Sequence, residues 1–117
     1  MAVPTRRAGT VISEDTIKQA VATLVAAANP QRIVLFGSYA RSDADEGSDL
    51  DLMVVKSQVT NRAQEMVRLA RALRPLRVPV DVLVVSEDEL ARLGREPGSV
   101  YWWALHEGRV LHGAGSP

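Results

Sequence analysis

Residues 32–55 read RIVLFGSYARSDADEGSDLDLMVV, two apolar runs enclosing a Gly-Ser pair and the acids Asp43, Asp45, Glu46, Asp49 and Asp51. No other feature restricts the fold as tightly. RIVLF (32–36) has the length and composition of a buried strand, closed by Gly37. LDLMVV (50–55) predicts a second strand, where side chains alternate between faces. Asp49 and Asp51 then point one way, while Leu50 and Leu52 enter the opposite layer. A third run, VDVLVV (80–85), is rich in β-branched residues and carries a single acid, Asp81. If the second and third strands are neighbours, three carboxylates converge. Two such charges about 5 Å apart repel by roughly 3 kcal/mol at an effective dielectric of about 20. A fold gains nothing from that, so a cation belongs there, and hard oxygen ligands suit Mg²⁺ or Mn²⁺ better than zinc.

Helical patterns fill the intervals. Ser13 with Glu14 and Asp15 predicts a helix start, and Ile17, Val21, Leu24, Val25 and Ala28 share one face before Asn29-Pro30. A short helix begins at Ser38. A third runs from about Thr60 to Leu73, with Ala63, Met66, Val67, Ala70 and Leu73 on its buried side. Ser86 and Glu89 form a capping box for a helix over 86–93, ended by Gly94. Ser99 caps VYWWALHE, Gly108 ends it, and RVLH is a last strand. Trp102 and Trp103 point about 100° apart on such a helix, so one is expected in the core and the other exposed. The fold class is α/β, a small mixed sheet with helices packed on it. The expected organisation is a flexible lead-in (1–12), one domain (13–112) and a flexible tail (113–117).

Composition narrows the function classes. Lys plus Arg equals Asp plus Glu at 14 each, so no global field draws the chain to nucleic acid or membrane. The arginines at 62, 68, 71, 74 and 77 read as a solvated face, the alternative being a docking surface for an acidic partner or RNA. Without cysteine there is no disulfide framework or thiolate metal site. No segment has the length of a membrane span, and the start MAVPTRRAGT lacks a signal peptide's apolar stretch, so the cytoplasm is the expected compartment. Asp43, Asp45 and Glu46 read as an exposed loop. A calcium loop starting at Asp43 fails, since glycine falls one position early and Val54 stands where the bidentate acid belongs. His106-Glu107 lacks the second histidine of a zinc protease at Val110 and reads as a helix end.

Gly37-Ser38 supplies the other half of a site. Glycine lets a ligand approach the backbone, and a turn opening at Ser38 offers amides and a hydroxyl to phosphate. Carboxylates for metal ions beside a phosphate cradle are the components of phosphoryl or nucleotidyl transfer.

Gly37-Ser38, the ten residues Tyr39 to Ser48, then Asp49-Leu50-Asp51 resembles the signature of the DNA polymerase β-like nucleotidyltransferase superfamily. FGSYAR…SDLDLMVV is similar in particular to its minimal nucleotidyltransferase (MNT) branch, and the likeness runs from the first helix to HEGRVLH. The chain departs from the family's usual small residue or glycine after the arginine, having Ser42-Asp43. The resemblance implies the superfamily's mixed sheet, ATP or another NTP as donor, and a pair of Mg²⁺ ions, with Mn²⁺ as substitute. It implies Asp49, Asp51 and Asp81 as metal ligands, Asp81 also helping to deprotonate an acceptor hydroxyl. Gly37 and Ser38 would hold the phosphates, assisted by Arg41. It further implies an antitoxin whose partner is a HEPN-type toxin, silenced when AMP is transferred from ATP to a tyrosine hydroxyl. Two other readings stand beside it: transfer to a small molecule such as an aminoglycoside, with a homodimer enclosing the acceptor, and a non-catalytic toxin-binding module.

Overall fold

The computed structural model describes residues 11–113. Most of the expected lead-in (1–10) and tail (114–117) lies outside them. Ile12 is buried, and its N–H donates to the Tyr39 hydroxyl at 2.8 Å.

The elements follow in the order α1 (Glu14–Ala28), β1 (Arg32–Phe36), α2 (Ser38–Arg41), β2 (Leu50–Lys56), α3 (Arg62–Leu73), a 3-10 turn (Arg74–Leu76), β3 (Val80–Ser86), α4 (Glu87–Leu93), α5 (Val100–Glu107) and β4 (Arg109–His112). Local chemistry sets their ends. The Ser13 hydroxyl accepts from the Thr16 N–H, and Asn29 closes α1 in the left-handed conformation. Both halves of the Ser86–Glu89 capping box are formed, and Ser99 caps α5 through the Trp102 N–H.

The strands form one mixed sheet in the order β3-β2-β1-β4. β1 is antiparallel to β2 and β4, whereas β2 and β3 are parallel. A parallel pair needs a long crossover, and α3 provides it. Alternation splits the core in two. Leu50, Leu52, Val54, Val82, Val84, Ile33 and Leu35 pack under α1 and α3, against Leu24, Leu69 and Leu73. On the opposite face, Val34, Phe36, Met53, Val55 and Val85 meet Leu90 of α4 and Ala104 of α5. Each such large side chain contributes about 1.5–3 kcal/mol. Arg62 ties the faces together, donating to the Val84 carbonyl at 2.9 Å and pairing with Glu89 of the α4 capping box.

Two helical expectations are corrected. α3 begins two residues after Thr60, because Asn61 caps it through the Gln64 N–H. Its buried side is carried by Leu69 and Leu73 with Met66 alongside, while Ala63, Val67 and Ala70 are exposed. The helix turns its large residues inward, since alanines forfeit little when left in water. Neither tryptophan is core: Trp103 is 42% exposed, and Trp102 stacks on His106 with ring centroids 4.0 Å apart. The two indoles also meet edge to face at 4.9 Å, because both lean across the outer surface of α5 while Ala104 takes the buried position.

The corrected face of α3 is checked by urea unfolding. Leu69→Ala is expected to cost about 2–4 kcal/mol and Val67→Ala less than about 0.5 kcal/mol. Equal losses would return Val67 to the core.

Candidate active site

β1 delivers the chain to Gly37, which adopts φ 75°, ψ −155°, a conformation open to little besides glycine. Its carbonyl accepts the N–H groups of Ala40 and Arg41, both at 3.1 Å, which winds the single turn α2. The turn is closed by Ser42, whose positive φ of 64° places a non-glycine residue in the left-handed region. This is the position where the sequence resemblance expects a small residue or glycine, and Ser42 takes the left-handed conformation there. With only four residues, α2 has little dipole; what it presents is the Ser38 hydroxyl and the amides at its head, which have no partner within the helix.

The following loop folds on its own acid. Asp45 Oδ1 accepts from the Gly47 N–H at 2.9 Å and the Ser48 hydroxyl at 3.1 Å. Asp45 is therefore an organiser of the exposed loop that leads into Asp49. The Leu50 N–H then donates to the Pro79 carbonyl at 2.9 Å, which sets the start of β2 beside that of β3.

From there the register does the placing. Asp51 lies opposite Asp81 in the parallel ladder and opposite Phe36 across the antiparallel one. Both acids occupy the face covered by α4 and α5, one pair of residues beyond Met53 and Leu83. Asp51 is partly buried, and its carboxylate lies so close to Gly37 that a Cβ there would overlap Oδ2. Asp81 is exposed, and Asp49, just before β2, is exposed as well. Burial foremost, then the charges of Asp81 and Asp49, push the Asp51 pKa up to about 6, with Arg41 acting in the opposite sense.

The structure thus brings Asp51, Asp81, Gly37 and Arg41 to one end of the sheet, with Asp49 at its edge. Among the described residues, no group of three or more histidines and acids is posed as a ready metal cage. The donor set nevertheless suits a hard divalent ion: the groups it offers are carboxylate oxygens, and one is held half out of water beside like charges.

Glu107, read from sequence as a helix end, reaches this region from the far end of the chain, with Oε1 3.6 Å from Arg41 Nη1. Local sequence carried no signal for that approach, because the two residues meet only through the packing of α5 on β1. The cavity bordered by Lys56, Thr60, Asn61 and Arg68 lies at the opposite end of β2 and contains none of the three acids. Its two cations are both bound to Glu65.

Comparison with known proteins bears on this geometry. Residues 14–102 match the family model described as a nucleotidyltransferase domain. A Sulfolobus solfataricus protein assigned to the nucleotidyltransferases is similar in structure, with TM-score 0.58 and 22% identity over 82% of this chain and 76% of that one. The MntA-HpeT toxin–antitoxin pair contains a similar chain, at TM-score 0.57 and 22% identity, covering 89% and 75%. So does the tri-AMPylated Shewanella oneidensis HEPN toxin in complex with its MNT antitoxin, at 0.52 and 21%, covering 88% and 74%. At these identities the likeness is one of fold. No curated protein matches the sequence.

The crowding at Asp51 has a measurable sign. Below its unfolded pKa the group is protonated in both states and costs nothing. As pH rises from the ordinary value of 3.8 to about 6, the unfolded chain releases its proton first and stability is lost. In metal-free buffer Asp51→Asn is therefore expected to stabilise the protein by roughly 1–2 kcal/mol at neutral pH, after screening at the half-exposed rim. The gain should vanish in acid, and urea titrations at both pH values check it. An unchanged neutral-pH midpoint would mean that neither burial nor neighbouring carboxylates lift the Asp51 pKa.

Proposed function

The chain belongs to the nucleotidyltransferase domain family, and on that premise we propose that it moves AMP from ATP to a hydroxyl group, specifically a tyrosine hydroxyl of a HEPN-type toxin partner. The observation that carries this reading is the Asp51 carboxylate set between the Gly37 turn and its register partner Asp81. Acids suited to metal ions and a turn suited to phosphates on one small patch support the reading.

Each residue has a role derived from its place. Gly37, with no Cβ, lets the phosphate chain approach the backbone, and the Ser38 hydroxyl donates to a phosphate oxygen. Arg41, two-fifths exposed, carries positive charge towards the same patch. Asp49, Asp51 and Asp81 would hold divalent ions, which supply charge neutralisation of the triphosphate and a lower pKa for the acceptor hydroxyl. The acceptor oxygen bonds to the α-phosphorus while the bond from that phosphorus to the β-phosphate bridging oxygen breaks. Pyrophosphate leaves, and the hydroxyl proton passes to the exposed carboxylate of Asp81.

A protein acceptor is favoured by exposure. Asp49 and Asp81 stand open at the sheet rim, where a large partner can bring a tyrosine to them. One similar structure holds a HEPN toxin with its MNT antitoxin, and another toxin–antitoxin structure contains AMP-PNP.

The test is incubation of the purified chain with α-labelled ATP, Mg²⁺ and the toxin-like product of an adjacent gene. Covalent label is expected on the partner's tyrosine, lowered at least ~10²-fold by Asp51→Asn or Asp81→Asn. Label that persists in both variants, or none with wild type, overturns the reading.

A further inference from the structure

Glu107 is the last residue of α5, and one of its carboxylate oxygens presents a problem. Oε1 is shut off from solvent and accepts no hydrogen bond among the described residues. Buried polar atoms left without a partner are rare in native proteins. The cation that faces it is Arg41, with Nη1 at 3.6 Å, slightly too far for a hydrogen bond.

The two partners are anchored differently. Gly108 seats the end of α5 closely on β1, since a Cβ there would overlap the Ala104 carbonyl and Val34 Cγ1 and crowd the Leu35 carbonyl. Glu107 is therefore carried by a rigid support two residues along the strand from Gly37. Arg41 sits on the short turn α2, and its Nε donates at 3.2 Å to Asp43, which is 59% exposed in the loop. The guanidinium is thus held between a Glu107 carboxylate with one oxygen shut off from solvent and the solvated carboxylate of Asp43. Its planar fork has five N–H donors, so groups not engaged by these acids are free to meet an anion.

We propose that Glu107 is a positioning residue: it aims the Arg41 guanidinium across the Gly37-Ser38 turn so that Arg41 meets the triphosphate of a bound nucleotide. The role rests on the nucleotidyltransferase reading of the site. When phosphate arrives, the exposed bond to Asp43 is the one that gives way, and the sheltered contact with Glu107 closes. Arg41 then surrenders less side-chain freedom on binding than an untethered arginine would.

The test is a double-mutant cycle on the full chain with Mg²⁺-ATP, reading ATP affinity and the KM and kcat of AMP transfer. Glu107→Gln keeps the shape and removes the charge. It should fold normally by circular dichroism, raise KM for ATP about 3- to 10-fold and leave kcat within about twofold. Arg41→Ala should raise KM at least as much, and the double variant should be no worse than Arg41→Ala alone. Glu107→Asp, which retains the charge, should recover part of the affinity. An unchanged KM for Glu107→Gln, or additive losses in the double variant, overturns the role. Should Glu107→Gln fail to fold, the cycle runs on Glu107→Asp, where additivity is again decisive. If wild type binds no ATP, the enzymatic reading falls and takes this role with it; if wild type binds and Glu107→Gln matches it, only this role falls.

Discussion

Parallel pairing of β2 with β3 in the register Asp51↔Asp81 sets two like charges side by side, and the surrounding architecture accommodates that arrangement. Slipping either strand by one residue would turn its acid under α1 and α3, into the layer that holds Leu50, Leu52, Val82 and Val84. An unpaired buried carboxylate there costs several kcal/mol, so the apolar layer enforces the acidic pair on the other face. The repulsion is tolerable because it is placed at the sheet's rim, where Asp81 is exposed and Arg41 adds positive charge.

The two faces of the sheet divide the work. Long helices α1 and α3 cover one face completely and serve stability. The shorter α4 and α5 pack on the other against Val34, Phe36, Met53, Val55 and Val85, and at the end of that face Asp81 stands exposed. Two of the backbone conformations that side chains disfavour, at Gly37 and Ser42, lie at that end. Such strain persists only where rigid neighbours hold it, here β1 on one side and the Ser38 carbonyl, which accepts from Ser42 and Asp43, on the other.

Much of this was legible along the chain. Strands RIVLF, LDLMVV and VDVLVV announce themselves by composition, and helix ends by Ser13, Ser86, Ser99, Gly94 and Gly108, because caps and breakers act through bonds to near neighbours. The Gly-Ser and Asp-Leu-Asp spacing marked the candidate site for the same reason. What misled were residues of weak preference. Ala63, Val67 and Ala70 fit a buried stripe on α3 as well as Leu69 does, and the choice fell to whichever face offered more area to β3 and α1. The tryptophans followed similar logic: one was expected in the core, but Ala104 takes that place with Tyr101 and Leu105 packed alongside.

By itself the sequence determined which segments are strands, that Asp51 leaves its strand on the side away from Leu50 and Leu52, and which family the chain belongs to. Those properties depend on alternation, capping and spacing, all of which act over a few residues. Tertiary structure alone decided that β2 and β3 are parallel with Asp51 against Asp81, that the Asp51 carboxylate presses on Gly37, and that Glu107 reaches Arg41. Contacts between residues so far apart in the chain exist only once two apolar layers have closed on the sheet, because burial of that area is what offsets the entropy of bringing them together.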